Sequence, residues 1–232
     1  MDRKASQIVE RLLTSMQLLV QSYHPEVRKT GSTLSDLIPG TAFFPGGTGL
    51  WRGNQPFGSV PDLFPDAPVM FVGHNFDSVR GYHHSMLKGG EAHSFFWGIV
   101  LAYLAHAQIC PEQCFFTNVL MGLKPGSAVG PMPAVAGYHD ECQAFLGSQI
   151  EIVNPSLVVA LGQKAFSQVS KLCPAVRLVS LLHPSARELK PCATRRELIE
   201  REGNVLRRAY TLGPRALDLS CEAVPAKKAR RL

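Results

Sequence analysis

Hydrophobic and polar positions follow a regular pattern from residue 68 onward. Short apolar runs predict four buried strands at 68–72, 114–120, 156–161 and 176–182. Longer segments with helical spacing predict helices at 94–108, 136–153, 163–172 and 195–210. Alternation of strands and helices favours a parallel sheet with helices on both faces. We therefore predict the α/β class, in the form of a three-layer α/β/α sandwich with a central, mostly parallel four-stranded sheet.

The pattern before residue 68 is different. Apolar residues at three- and four-residue spacing predict an amphipathic helix at 3–22, and a stretch rich in Gly and Pro follows at 25–68. A loop of that length in a compact domain is usually functional or flexible. We expect an N-terminal helix at 1–24 that packs on the domain, one domain at 25–212 and a basic tail at 213–232.

Composition narrows the class of protein. The chain has 232 residues, of which 45% are hydrophobic and 18% charged, and this balance is typical of one globular domain. The sequence has no apolar run of the roughly 20 residues that a membrane helix needs. Its charged start leads into an amphipathic segment, which favours a cytoplasmic, nucleoid-associated location, or a nuclear one in a eukaryote. We expect a monomer.

Net charge and cysteine usage bear on partners and cofactors. The net charge of +6, part of it at 227–231, favours a polyanionic partner. The six cysteines lack the spacing of a disulfide framework, and Cys110 and Cys114 have no second close pair to complete a metal site. Four histidines between 74 and 93 match no usual ligand spacing. We expect reduced thiols, no metal and no cofactor.

Three polar motifs follow apolar runs: residues 73–78, 117–118 and 183–185. Because the carboxyl ends of parallel strands meet at one edge of a sheet, Asn75, Asn118 and His183 are expected to share a pocket. Each also has a structural alternative. Asn75 could cap a turn, Asn118 could hold a loop by hydrogen bonds to backbone, and His183 alone could be a structural group. Gly73 and Gly162 are expected to permit tight turns.

The order of these motifs between about 68 and 189 resembles the uracil-DNA glycosylase superfamily. Gly73-His74-Asn75 is similar to its first motif, in the version with Asn in place of Asp, and His183-Pro184-Ser185 to its last. Further similarities lie at 94–97, 115–119, 124–126 and 154–165. The resemblance implies a domain that binds DNA and hydrolyses the N-glycosidic bond of a base turned out of the strand.

The resemblance also implies roles for single residues. Asn75 would position the attacking water without a carboxylate to take its proton, which predicts a slow enzyme, and Asp77 could supply that carboxylate. His183 would stabilise the negative charge on the departing base. The residues expected to bind the base are Gly73, His74, Phe76 and Asn118. Those expected to contact the DNA backbone are Lys124, Ser185 and Arg187.

The sequence departs from the superfamily where an aromatic should stack on the base. Residues 87–90 contain none, and Phe76, Tyr82 or Phe95 could take this role. Phe95, Phe96 and Trp97 are nevertheless better explained as core anchors of a helix. The first 109 residues contain no cysteine, which excludes the iron–sulfur class of the superfamily.

The favoured function is a monofunctional DNA glycosylase of base excision repair, acting on uracil or another deaminated base. The first alternative is a member that binds nucleic acid or a free base without cleaving it. A hydrolase of another N-glycoside or nucleotide ranks last, because the sequence lacks the usual Gly-rich phosphate loop. The base released and the preference for single or double strands stay open.

Overall fold

The computed structural model describes residues 49–51, 65–75, 80, 84, 87, 95–120, 137–172, 176–185 and 194–212. In this part of the chain the strands are β1 (Val69–Asn75), β2 (Cys114–Leu120), β3 (Leu157–Leu161) and β4 (Leu178–Leu181). The helices are α1 (Phe95–Ala107), α2 (Tyr138–Val153), α3 (Gln163–Leu172) and α4 (Arg195–Thr211). The predicted N-terminal helix and basic tail lie outside the described residues, so the division into domains stays a prediction.

The four strands form one sheet in the order β2-β1-β3-β4, and each pair of neighbours is parallel. Parallel neighbours need crossover connections, which the intervening helices supply. Helices α2 and α3 lie on one face of the sheet, and α1 and α4 lie on the other. The predicted three-layer α/β/α sandwich is therefore confirmed, and within the described residues the sheet is entirely parallel.

Both faces of the sheet are buried, which explains why the central strands are almost continuously apolar. On the side of α2 and α3, Met70 and Val158 belong to one core cluster. On the side of α1 and α4, Phe71 and Phe116 belong to another, with ring centroids 5.3 Å apart. Each large side chain removed from water stabilises the fold by about 1.5–3 kcal/mol. The sheet is thus held between two apolar layers.

Strand β1 runs further than its apolar residues alone indicate. β1 was expected to end at residue 72 but continues through Asn75. Gly73 pairs with Asn118, and Asn75 with Leu120, so backbone pairing carries β1 through its polar end. The 73–75 and 117–118 motifs therefore lie inside strands and not after them. The expectation that a motif follows its strand holds for His183, two residues after β4.

Helices α1 and α4 run side by side in the same direction. Near the ends of the two helices, His106 Nε2 lies 3.1 Å from Asn204 Oδ1, and Arg207 donates a 2.7 Å hydrogen bond to Gln108. Gly203 of α4 is buried directly against the ring of His106. The close approach of the two helices therefore depends on a residue without a side chain.

Substitution of Gly203 should test this contact. A Cβ at Gly203 would lie 2.6 Å from His106 Cδ2, so Gly203→Ala forces the helices apart. We expect the free energy of unfolding to fall by about 1–3 kcal/mol, measured by urea denaturation and circular dichroism. Gly147 of α2 is the matched control, because no atom lies within 4 Å of a Cβ built there. Gly147→Ala should raise the free energy of unfolding by about 0.5–1 kcal/mol, and equal effects of the two changes would contradict the packing argument.

Candidate functional site

The polar residues of the candidate site lie at the carboxyl edge of the sheet. Asn118 on β2 and Gly73 on the neighbouring β1 are register partners, and Asn75 follows two residues later. Since side chains alternate along a strand, Asn75 and Asn118 point to the same face as Phe71 and Phe116. That face is the one covered by α1 and α4. The two amides therefore occupy one side of the sheet.

Asn118 is buried within the sheet and has only 1% of its surface exposed. Its register partner on β1 is Gly73, which places no side chain on that face of the sheet. A side-chain amide offers both a hydrogen-bond acceptor and two donors. The amide of Asn118 therefore matches a ligand that presents both a donor and an acceptor.

His183 is held in a defined tautomer by the turn that contains it. The backbone N–H of Ser185 donates a 3.1 Å hydrogen bond to Nδ1 of His183, so the proton of the neutral ring lies on Nε2. Burial, and secondly the nearby His74 ring, lower the pKa of His183 below its usual value of 6.5. At neutral pH His183 is therefore an uncharged imidazole with Nε2–H as its donor.

Gly162 brings the end of β3 close to His183. Its φ of +88° lies in the left-handed region that favours glycine, and a Cβ there would lie 3.1 Å from Cβ of His183. The tight turn expected at Gly162 is confirmed. The one expected at Gly73 is wrong, because Gly73 lies within β1 and pairs with Asn118.

His74 links the first motif to the histidine of the last. Nδ1 of His74 lies 3.1 Å from Oδ1 of Asn75, a distance at which the ring N–H donates to the amide oxygen. This contact directs the amide nitrogen of Asn75 away from His74. His74 is also near enough to His183 to lower its pKa. His74, Asn75 and His183 thus form one connected group.

Phe96 forms a wall of the site, whereas its neighbours do not. The rings of Phe96 and His183 have centroids 5.4 Å apart and planes tilted by 47°. Trp97 is a core anchor as predicted, with 1% of its surface exposed and packed against Trp51 and Phe116. The same prediction is wrong for Phe95, of which 61% is exposed.

Glu202 of α4 is a buried group at the site that sequence analysis missed. Its Oε2 accepts a 2.8 Å hydrogen bond from the backbone N–H of Leu182, which directly precedes His183. Among the described strands β4 lies at an edge of the sheet, and none of them lies beside it on the side of this N–H. Glu202 therefore ties the His183 turn to α4. Its place on the apolar stripe of α4, four residues from Leu198 and from Leu206, is the sequence feature that could have revealed it.

Of the predicted site residues, the structure places six along this carboxyl edge: Gly73, His74, Asn75, Asn118, His183 and Ser185. Phe76, Lys124 and Arg187 lie outside the described residues, as do Asp77 and Tyr82. The roles assigned to all of them stay predictions.

The described residues also bear on metals and membranes. Among them, no three His, Cys, Asp or Glu side chains converge as metal ligands would. Cys114 is buried, and its Sγ–H donates to the carbonyl oxygen of Cys110 over 3.6 Å.

No helix in the described ranges has the length and apolar character needed to cross a membrane.

The architecture is that of a parallel α/β protein with a polar site at the carboxyl edge of its sheet. The family model described as the Uracil DNA glycosylase superfamily matches residues 61–201, which is more than half of the chain. The chain belongs to this superfamily. It is also 31% identical, over 103 residues, to the single-strand selective monofunctional uracil-DNA glycosylase of Rattus norvegicus. That similarity covers 40% of this chain and 37% of the rat protein.

Proposed function

We propose that the protein is a monofunctional DNA glycosylase of base excision repair, which hydrolyses the N-glycosidic bond of uracil or another deaminated base. The observation that carries this proposal is His183, a neutral imidazole with its Nε2–H donor fixed by Ser185, at the edge where Asn75 and Asn118 lie. Membership of the superfamily supports the reaction class. The name of the rat relative supports uracil as the first base to test.

His183 would act on the departing base. When the bond between sugar and base breaks, negative charge develops on a ring oxygen of the pyrimidine. A donor already aimed at that oxygen stabilises the transition state without rearrangement. The backbone hydrogen bond from Ser185 and the tie between Glu202 and Leu182 hold the His183 turn in place. His183 would thus stabilise the anion by donation from Nε2.

Asn118 would select the base. Its amide oxygen can accept from N3–H of uracil while its amide nitrogen donates to O4. Cytosine presents the opposite pattern at these atoms and would fit poorly. Other deaminated bases share the neighbouring donor and acceptor, so hypoxanthine and xanthine belong among the substrates to be tested. Gly73, the register partner of Asn118, would place its backbone against the plane of the base.

Asn75 would position the attacking water. An amide can orient water but cannot take its proton at neutral pH, so a gain of roughly a hundredfold from general-base catalysis would be absent. His74 holds the amide oxygen of Asn75 and so fixes the direction of the amide nitrogen. A slow enzyme follows, unless a carboxylate such as Asp77 assists.

Ser185, Lys124 and Arg187 are proposed to bind the phosphates on either side of the flipped nucleotide, and Phe76 is proposed to contact the base. The net charge of +6 supports a DNA partner through phosphate neutralisation.

A protein that acts on chromosomal DNA would work in the nucleoid of a bacterium or the nucleus of a eukaryote.

A second candidate is binding of nucleic acid or a free base without cleavage. Two observations favour it: the first motif has an amide in place of a carboxylate, and Oδ1 of that amide already accepts from His74. A binding protein would keep the base pocket and lose only the step that needs activated water.

Base release from matched oligonucleotides tests the proposal. Single strands and duplexes with uracil, hypoxanthine or xanthine are mixed with excess enzyme and then cleaved by alkali at abasic sites. We expect abasic sites in at least one of these substrates and far fewer in the same oligonucleotides with cytosine or adenine. If no substrate loses its base while the protein still retards DNA in a gel, the binding function replaces the proposed one.

A further inference from the structure

Phe95 is an exposed aromatic side chain at the start of α1. It has 61% of its surface exposed, although the next two residues of the helix point into the protein. The guanidinium of Arg195, the first residue of α4, lies over its ring at 4.9 Å from the centroid. Contacts of this kind between a cation and the face of a ring are attractive, at exposed sites as well. The pair thus lies on the surface and joins the first residue of α1 to the first residue of α4.

This pair lies at the rim of the candidate site. Phe96, the neighbour of Phe95, has its ring 5.4 Å from that of His183. In a parallel α/β fold the helices run opposite to the strands, so α1 and α4 both begin at the carboxyl edge of the sheet. Phe95 itself points to solvent, so its ring lies outside the buried part of the site.

The charge of Arg195 is available to a ligand. Within the described residues no carboxylate lies within ion-pair distance of Arg195, whereas its neighbour Arg196 is paired with Glu200 at 2.8 Å. Arg195 covers one face of the Phe95 ring, and the exposed fraction of Phe95 leaves the other face accessible. An aromatic face beside a guanidinium that has no carboxylate partner among the described residues is complementary to a base linked to a phosphate.

We propose that Phe95 and Arg195 bind the unpaired strand next to the nucleotide in the pocket, with one base stacked on Phe95 and its phosphate held by Arg195. This rests on the proposed function, because it takes DNA to be the substrate. In a duplex, neighbouring bases cover each other, so the exposed ring of Phe95 gains a partner only where the strand is unpaired. The pair therefore favours single-stranded DNA.

Binding to DNA without a substrate base tests the pair. Fluorescence anisotropy is measured with labelled single strands and duplexes that carry only ordinary bases, so that no catalysis is needed. We expect Phe95→Ala to weaken binding to single strands about tenfold and to change duplex binding by less than about twofold. Leu212→Ala, which removes an exposed apolar side chain just beyond the other end of α4, should leave both affinities unchanged.

A pair of charge variants tests Arg195. Arg195→Gln should lower the slope of log affinity against log salt by about 0.7 on single strands, the value for one phosphate contact. Arg208→Gln removes the same charge from an exposed position on α4, about 20 Å along the helix. It should leave the slope unchanged.

The outcomes separate this inference from the proposed function. The proposal is overturned if wild type and Phe95→Ala bind single strands with equal affinity. It is also overturned if Arg195→Gln and Arg208→Gln give equal slopes of log affinity against log salt. Wild type that binds an acidic peptide at this surface but no single-stranded DNA also overturns it. Base release by wild type, measured separately, decides the glycosylase proposal in each of these cases.

Discussion

Replacement of His183 by alanine is expected to lower the single-turnover rate of base release by at least about a hundredfold, equal to about 3 kcal/mol of barrier. The change removes the Nε2–H donor that Ser185 and the burial of the ring prepare for the departing base. The measurement is abasic-site formation with excess enzyme on the best substrate found for wild type.

His106 supplies the matched control for this prediction. It is a partly buried histidine of α1, in contact with Asn204 near the end of that helix remote from the site. His106→Ala removes the same ring without touching the site, so its rate of base release per folded molecule should equal that of wild type. Equal losses in the two variants would show that His183 acts only through stability.

The lowered pKa of His183 also predicts how the free energy of unfolding of wild type, compared with that of His183→Ala, depends on pH. The folded state favours the neutral ring, and the unfolded chain takes up the proton first as the pH falls below the usual 6.5. The stabilisation from this preference is therefore present above pH 6.5 and is lost as the pH falls toward the lower, folded pKa. The difference in unfolding free energy between wild type and His183→Ala should narrow over that range. A constant difference would indicate an ordinary pKa for His183.

Most helices and strands could be predicted from the sequence, because the spacing of apolar residues matches the faces that the folded structure buries. The predicted helix at 163–172 matches α3, and the first residue predicted for the last helix, Arg195, is also the first of α4. At this start the side chain of Thr194 accepts a hydrogen bond from the backbone N–H of Glu197. The side chain of Glu197 in turn accepts one from the backbone N–H of Thr194, and this reciprocal pair is a known signal for the start of a helix. The end of β1 was misplaced because Gly73 and Asn75 join the sheet through backbone hydrogen bonds, which do not depend on apolar side chains.

The candidate site was predicted only in part. Asn75, Asn118 and His183 could be proposed because parallel strands bring their carboxyl ends together. The tautomer of His183 and its contact with Phe96 depend on positions of atoms that only tertiary structure fixes. The aromatic run groups Phe95 with Trp97, although two residues along a helix the side chains face nearly opposite sides, which leaves Phe95 exposed and Trp97 buried.

Asn118→Asp is expected to lower uracil release at least about a hundredfold and to lower the ratio of uracil to cytosine release. The substitution keeps the shape of a side chain that is 1% exposed but removes the amide donor to O4 of uracil. Burial should raise the pKa of the new carboxyl, and a protonated carboxyl can donate to N3 of cytosine while its carbonyl oxygen accepts from the exocyclic amine. The same change would therefore disfavour uracil and favour cytosine.

The ratio of the two rates is the quantity to measure for Asn118→Asp. A loss of folded protein lowers uracil and cytosine release equally, so the ratio depends only on how the folded site binds the base. Thr117→Val is the matched control, because Thr117 is buried on the same strand and, by alternation, faces the other side of the sheet. Its ratio should equal that of wild type. A ratio that stays unchanged in Asn118→Asp would place base selection on another residue and leave Asn118 with the structural role that a buried amide can also fill.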